Sequence, residues 1–444
     1  MKSTTRYALI IFGFFVFVIL APLLILYVSG TTFNFDGNGS NSTGIFDAKS
    51  NPSGAKVLIN GKEHSSAPAI ARFLDQGEYV FTITKDGYYD WSKRLPIESG
   101  QVSYAQVGVD EVQLIKKSEP VNIAGPDISS FIMIDDKLWY TTGSKLSYLA
   151  LGNQSPSTIE AVSSGYIDKR LRDKKHFIYT IDRGTPDPDD SSSNLFQDAL
   201  INSSNNRVDL LPISLRNEKS IEMASDNIVL VLSENKITAY NLNTKTISEV
   251  KKDVLEFTTL GDTGYFLNSD GTITNAVWNG TNYFNEQIIV DQTPDPVADD
   301  FNDLIITDNK ELFLHKQLTG LFRVGNSLEK VVDNLSYLYF DMSTNEISYT
   351  KANELDFYNF ITHRSQLLTR STELYEPYFV RSNIGYGFAI SDKGLELIEI
   401  DGRDHQNRYV LLEGRTVSNF AIAANQKTII ALVDGSLVML EIRN

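Results

Sequence analysis

KLWYTTGSKLSYLAL (137–151), NIVLVLSENKITAYNL (227–242), TGYFLNSDGTITNAVW (263–278), YGFAISDKGLELIEI (386–400) and TIIALVDGSLVMLEI (428–442) share one pattern. In each, apolar residues alternate with polar ones on either side of a short polar turn, which is the signature of a β-hairpin. The first apolar residues after such turns are Leu146, Leu195, Ile237, Ile273, Leu312, Leu355, Leu395 and Leu437, with successive gaps of 49, 42, 36, 39, 43, 40 and 42. A four-stranded propeller blade takes about 40–50 residues, so this period predicts a β-propeller over 118–444. Eight blades are expected, with seven as the alternative because the unit at 297–335 is irregular. The widest gap has a visible cause in the polar insertion GTPDPDDSSSN, 184–194. The chain runs out at Glu441-Ile442 on an apparent third strand, while Val121-Asn122-Ile123 reads as an orphan outer strand. Pairing the two would seal the ring without leaving open edges. A fragment of 118–444 is therefore expected to fold by itself.

Upstream, AKVLING (55–61), GEYVFTITKDG (77–87), YDWSKRLPI (89–97) and SYAQVGVDEVQLI (103–115) alternate in the same way, with Asn60-Gly61 and Asp86-Gly87 as hairpin turns. The run Asn51-Pro52-Ser53-Gly54-Ala55-Lys56-Val57, followed by Asn60-Gly61, Ala67-Pro68, Gly77-Glu78-Tyr79 and Lys85-Asp86-Gly87-Tyr88, resembles the PEGA domain family, with Ser53 in place of the family's namesake Glu. The resemblance implies a small β-sandwich over 47–117, placed outside the cytoplasm and contacting protein or polysaccharide. The motif positions are Pro52, Gly54, Ala55, Gly61, Gly77, Tyr79, Gly87 and Tyr88. Pro52 and Gly54 would shape the entry to a strand, and Gly61 and Gly87 would take positive φ in turns. The motif is turn chemistry and implies no activity.

Residues 7–28, YALIIFGFFVFVILAPLLILYV, hold no charge, and sixteen of the twenty-two are Leu, Ile, Phe or Val. As a helix they span roughly 33 Å, the thickness of a bilayer's hydrocarbon core. The run is too long for the apolar region of a cleaved signal peptide. Lys2 and Arg6 precede it and the first acidic residue, Asp36, follows, so 1–6 are expected in the cytoplasm and the rest beyond the membrane. Residues 29–46, rich in Gly, Asn, Ser and Thr, read as a flexible tether.

Apart from Lys2 and Arg6, 38 basic residues stand against 56 acidic ones, a net charge of −18 that repels phosphate backbones and argues against nucleic acid as a partner. The chain has no cysteine, which excludes thiol chemistry and cysteine-based zinc sites. His64, His176, His315, His363 and His405 have no partner at metal-ligand spacing. No nucleophile elbow, P-loop or dinucleotide fingerprint is present. The expectation is a protein without catalytic residues, metal or cofactor. It would be a membrane-anchored scaffold or binding module of the cell envelope, contacting a protein or polysaccharide. The candidate binding loops are the acidic ones at Asp187, Asp189 and Asp190 and at Asp295, Asp299 and Asp300. The alternative is a membrane-tethered glycan-active enzyme with paired carboxylates in the propeller channel.

Overall fold

A computed structural model describes residues 3–28, 31–33, 40–105, 111–134, 136–143, 145–151, 157–159, 165–168, 171, 175–182, 196–211, 215, 218–291, 293, 302–316, 319–341, 346–351, 354–370, 380–381, 385–423 and 425–443. Of 3–10, 23, 26–28, 31–33, 40–42, 168, 302, 337, 341 and 380–381 it describes the backbone alone. Helix α1 spans Ser3–Val28. Its described side chains, 11–22 with Leu24 and Ile25, are nearly all exposed, Phe12 and Phe17 at 68%. Among residues described in full, no helix is long and apolar enough to cross a membrane, whereas the helical backbone of α1 runs for 26 residues.

Within the expected tether at 29–46, residues 31–33 and 40–46 are strand. β1 (Thr31–Phe33) pairs antiparallel with the start of β2 (Ser40–Ala48), Thr31 opposite Ser42. Gly44, Ile45 and Phe46 therefore lie inside the sandwich's central strand. Gly/Asn/Ser-rich composition hides this strand, because its buried face uses small residues and one aromatic. An added Cβ at Gly44 would sit 2.5 Å from the Glu98 carbonyl.

The first sheet of the sandwich is β6 (Ala69–Asp75), β2 and β9 (Val102–Tyr104), with β9 parallel to β2. The second has the order β5 (Lys62–Ser66), β4 (Lys56–Ile59), β7 (Gly77–Thr84), β8 (Trp91–Ile97). A short parallel pair, β3 (Ser50–Asn51) and β10 (Val112–Gln113), ties the end of the domain to its start. Phe46, Phe81, Ile83, Trp91, Leu95 and Ile97 fill the space between the sheets, and Phe46 stacks on Phe81.

Beyond residue 120, eight four-stranded antiparallel sheets follow one another among the described residues, at 128–159, 165–210, 220–252, 254–290, 302–333, 337–370, 380–410 and 417–441. The eighth takes its outer strand from the opposite end of the region: β11 (Val121–Ala124) pairs with Ser436–Glu441, Val121 opposite Met439. The architecture is propeller-like and all β after α1.

The second strands are apolar on both faces rather than one. In Ile228–Ser233, Val229 and Val231 pack with Ile178 and Leu200 of the sheet before, while Leu230 and Leu232 pack with Phe257 and Phe266 of the sheet after. A sheet covered on both sides needs near-continuous hydrophobicity. One repeat marker falls on the wrong strand. Leu312 begins the second strand of the fifth sheet, Leu312–Lys316, and Leu321 in Gly320–Val324 holds the position equivalent to Ile273 and Leu355. The polar turn Thr307–Glu311 between the first two strands mimics the one expected between the second and third. Leu195 lies outside the described residues.

Candidate functional site

β8 alternates Trp91, Lys93, Leu95 and Ile97 toward the buried side, and a lysine on that face demands partners. Lys93 is fully buried. Its Nζ donates to the carbonyls of Asp401 (2.7 Å), Arg403 (3.0 Å) and His405 (2.6 Å) and lies 3.1 Å from Glu399 Oε2. Glu399, also fully buried, accepts at Oε1 from Trp91 Nε1 (2.8 Å) and at Oε2 from Asn407 N and Nδ2. Lys93 and Trp91 belong to the sandwich, Glu399 and its loop to the seventh sheet of the propeller-like region. A buried charge pair is tolerable when every remaining lone pair and proton is bonded, as here.

The loop Ile400–Asn407, between the third and fourth strands of that sheet, is gripped along its length. Arg94 N donates to Asp404 Oδ2 (2.8 Å), and Ser92 N to Asn407 Oδ1. Arg403 reaches back to the carbonyls of Tyr104 and Ala105 (3.1 Å each) while forking onto Asp401. Burial raises the Asp401 pKa, but the Arg403 hydrogen bonds and the Lys93 charge outweigh it and leave the carboxyl below its usual range. Beside the clasp, Tyr89 stacks on Tyr409, whose hydroxyl donates to Asp90 O. Burial pushes the Tyr409 and Tyr386 hydroxyls far up. Ile115 joins the core of the last two sheets, and Lys116 pairs with Glu441 at 2.8 Å. Two regions that read in sequence as separate domains share a dry, hydrogen-bonded junction.

A groove of about 620 Å³ opens between the fourth and fifth sheets. Tyr265, Asn275, Ile289, Lys310, Arg323 and Val324 are among the residues lining it, with Arg323 paired to Glu329. Burial raises the Tyr265 hydroxyl pKa. Nothing in the sequence pattern singled out this groove, because its residues come from six strands and turns.

The acidic loops Asp187, Asp189, Asp190 and Asp295, Asp299, Asp300 lie outside the described residues. The strands flanking the first are paired to their ends, Asp182 opposite Phe196. Of the PEGA-like positions, Gly54, Gly61 and Gly87 hold φ of 75°, 77° and 83°, Ala55 and Tyr88 are buried, and Tyr79 is half-buried beside Phe81. Gly77 opens β7 without a positive φ, and Pro52 follows a cis peptide bond. The histidines stay apart: His176 meets Asn202 and His315 meets Asp303, while His363 and His405 sit by Glu311 and Asp404. Among the described residues no group of three His, Asp or Glu is placed to hold a metal.

Residues 44–111 match the PEGA domain family. The PEGA domain thus includes part of the presumed tether. The whole chain has no match among curated proteins. Solved structures resemble it at low identity. The C-terminal WD40 domain of Sif2 is 11% identical, covers 74% of this chain and 99% of its own, with TM-score 0.48. BamB from Moraxella catarrhalis is 11% identical, with coverages of 74% and 99% and TM-score 0.44. PorZ, a bacterial surface component of the type-IX secretion system of Porphyromonas gingivalis, is 9% identical, with coverages of 73% and 46% and TM-score 0.40. The propeller-like architecture attached to the PEGA domain rests on the strand pairing itself.

Proposed function

We propose that this chain is a membrane-anchored scaffold or binding protein of the cell envelope, without catalysis, in which a PEGA domain holds an eight-bladed propeller at a fixed angle to the bilayer. The observation that carries this reading is the clasp of Lys93 and Arg94 on the loop after Glu399. A hinge between anchor and propeller would be built from exposed, polar linker instead. Residues 7–28 of α1 would span the membrane and Lys2 and Arg6 would keep the N-terminus cytoplasmic.

Strand alternation orients the disc. Turns joining first to second and third to fourth strands share one face, and the remaining connections share the other. The clasped loop is a third-to-fourth turn. The strand ends flanking 184–194, Asp182 and Phe196, and the Val290 end of Tyr283–Val290 lie toward the opposite face, away from the PEGA domain. On this reading that face, with Asp187, Asp189, Asp190, Asp295, Asp299 and Asp300, meets a protein or polysaccharide partner.

Two measurements test this. Protease added to spheroplasts should digest a C-terminal tag on the full chain, and protection until lysis overturns the topology. Deleting 184–194 should leave the circular dichroism spectrum unchanged, since the hairpin pairs fully without it. Crosslinked envelope partners should drop severalfold at low salt, and rising salt should weaken capture by the intact chain toward that of the deletion. Undiminished capture would remove this face as the binding surface.

The enzyme reading retains one observation in its favour. Glu256, on the first strand of the fourth sheet, is raised by burial to about 7, and Glu222 sits on the first strand of the third sheet. Both carboxylates are engaged between sheets, Glu256 by Ser220 and Glu222 by Thr258, and Glu256 also accepts from the adjacent Phe257 N–H. That use of them supports packing over catalysis.

A further inference from the structure

The groove between the fourth and fifth sheets opens on the face of the clasped loop, because Lys310 and Glu311 end a first-to-second turn and 325–327 form a third-to-fourth turn. The turns that border it on this face, 261–262, 279–282, 307–311 and 325–327, are all described residues. Its volume of about 620 Å³ lies within the ~300–1,000 Å³ of small-ligand sites. Strand register builds one wall. Tyr265 stands opposite Asn275 and Val277 opposite Phe284, all on one face of the fourth sheet. Phe284 is 43% exposed and Val277 39%. Leu312 and Val324, opposite each other in the fifth sheet, belong to the second wall.

The polar groups of this groove are unspent. Among the described residues, no hydrogen bond or ion pair engages the Tyr265 hydroxyl, the Asn275 amide or the Lys310 ammonium. The charges lining it cancel: Arg323 pairs with Glu329, and Lys310 is balanced by Glu311, which His363 meets at 3.5 Å. A balanced site on a chain of net charge −16 offers a polyanion no net attraction. The walls are sheet faces whose backbone groups are used in the ladders, so an extended peptide finds no free strand edge between them. A pyranose matches what is left. Its hydroxyls both donate and accept around the rim, and the C–H groups of its faces pack on aromatic rings.

We propose that this groove binds a short stretch of neutral glycan, with Tyr265 and Phe284 packing on sugar rings and the Tyr265 hydroxyl, Asn275 and Lys310 bonding to sugar hydroxyls. The site goes beyond the reading above, which puts partner capture on the opposite face, and it needs neither the anchor nor the acidic loops. The contact is built from stacking and neutral hydrogen bonds, so salt leaves it unchanged.

The test is calorimetric titration of the full chain, in a detergent without sugar headgroups, with tetramers of glucose, N-acetylglucosamine, galactose and mannose and with the tetramer of galacturonic acid. At least one neutral tetramer should bind saturably, equally at low and high salt. Tyr265→Phe and Lys310→Gly should each weaken that binding about three- to tenfold, the loss of one hydrogen bond. Glycine suits position 310, where φ is 64°, so this variant keeps the turn. Asn326→Trp, at an exposed turn position lining the groove, should block it while leaving the circular dichroism spectrum unchanged. No saturable binding of any neutral tetramer overturns the proposal. Binding of the galacturonate tetramer alone, lost at high salt, overturns it in favour of a charge contact at Lys310. Binding that survives Asn326→Trp puts the sugar elsewhere. Loss on deleting 184–194, with the groove variants silent, puts it on the opposite face, which overturns the groove and leaves the reading of that face standing.

Discussion

At the scale of single residues, two buried charges decide most. Lys93 has no exposed atoms and four oxygen partners, all in the seventh sheet or its loop. Lys93→Met removes one half of a buried pair and leaves the Glu399 carboxylate in a dry site, which costs about 3–5 kcal/mol. Urea unfolding should show that loss, and adding Glu399→Gln to Lys93→Met should recover part of it. Equal stability of Lys93→Met and the parent chain would mean that water enters the junction. Glu256 works through pH. Its carboxyl is raised from 4.5 to about 7 by burial, so the folded state binds the proton more tightly than the unfolded state. Its contribution to stability is fully present below 4.5 and is lost as pH rises through 7, up to roughly 3 kcal/mol. Glu256→Gln should therefore raise the melting temperature at pH 8 and lose that advantage by pH 5, and a pH-independent difference would contradict the shift. The period-2 spacing of Trp91, Lys93, Leu95 and Ile97 already put Lys93 on the buried face. Lysine is so rarely buried that its type argued the other way, and its partner lies in a distant part of the chain.

At the scale of elements, alternation and turn chemistry located the quoted hairpins, and the two errors have separate causes. β2 looked like linker because a strand packed against a close neighbour uses Gly44 where a larger residue would collide. The fifth sheet slipped by one strand because the Thr307–Glu311 turn is more polar than the turn that follows Lys316. Closure through the end strand was legible, since an unpaired apolar strand at 121–123 matched a missing one at the far end, and β11 does pair with Ser436–Glu441. Removing it should matter. A fragment of 126–444 exposes an open edge of the eighth sheet and should aggregate more than 118–444, measured by light scattering. Equal solubility would mean that another segment protects that edge. The 118–444 fragment should itself melt below the full chain, because it loses Ile115 from the last sheets' core and leaves Glu399 without Lys93 and Trp91.

For the whole molecule, the sequence by itself determined the all-β class after one apolar helix, the repeated four-stranded units and the PEGA domain match. All three are local signals: period, turn residues and an uncharged run are properties of neighbouring positions, and backbone geometry converts them directly into elements. The groove at Tyr265 and Arg323 and the junction of Lys93 with Glu399 were decided only in the tertiary structure. Each brings together strands far apart in the chain. Whether a side chain meets solvent, a neighbouring sheet or a buried counter-charge depends on how those strands dock. The junction shows this most directly. Two stretches that each look complete alone are joined because one buries a cation that only the other's carboxylate and loop carbonyls can satisfy.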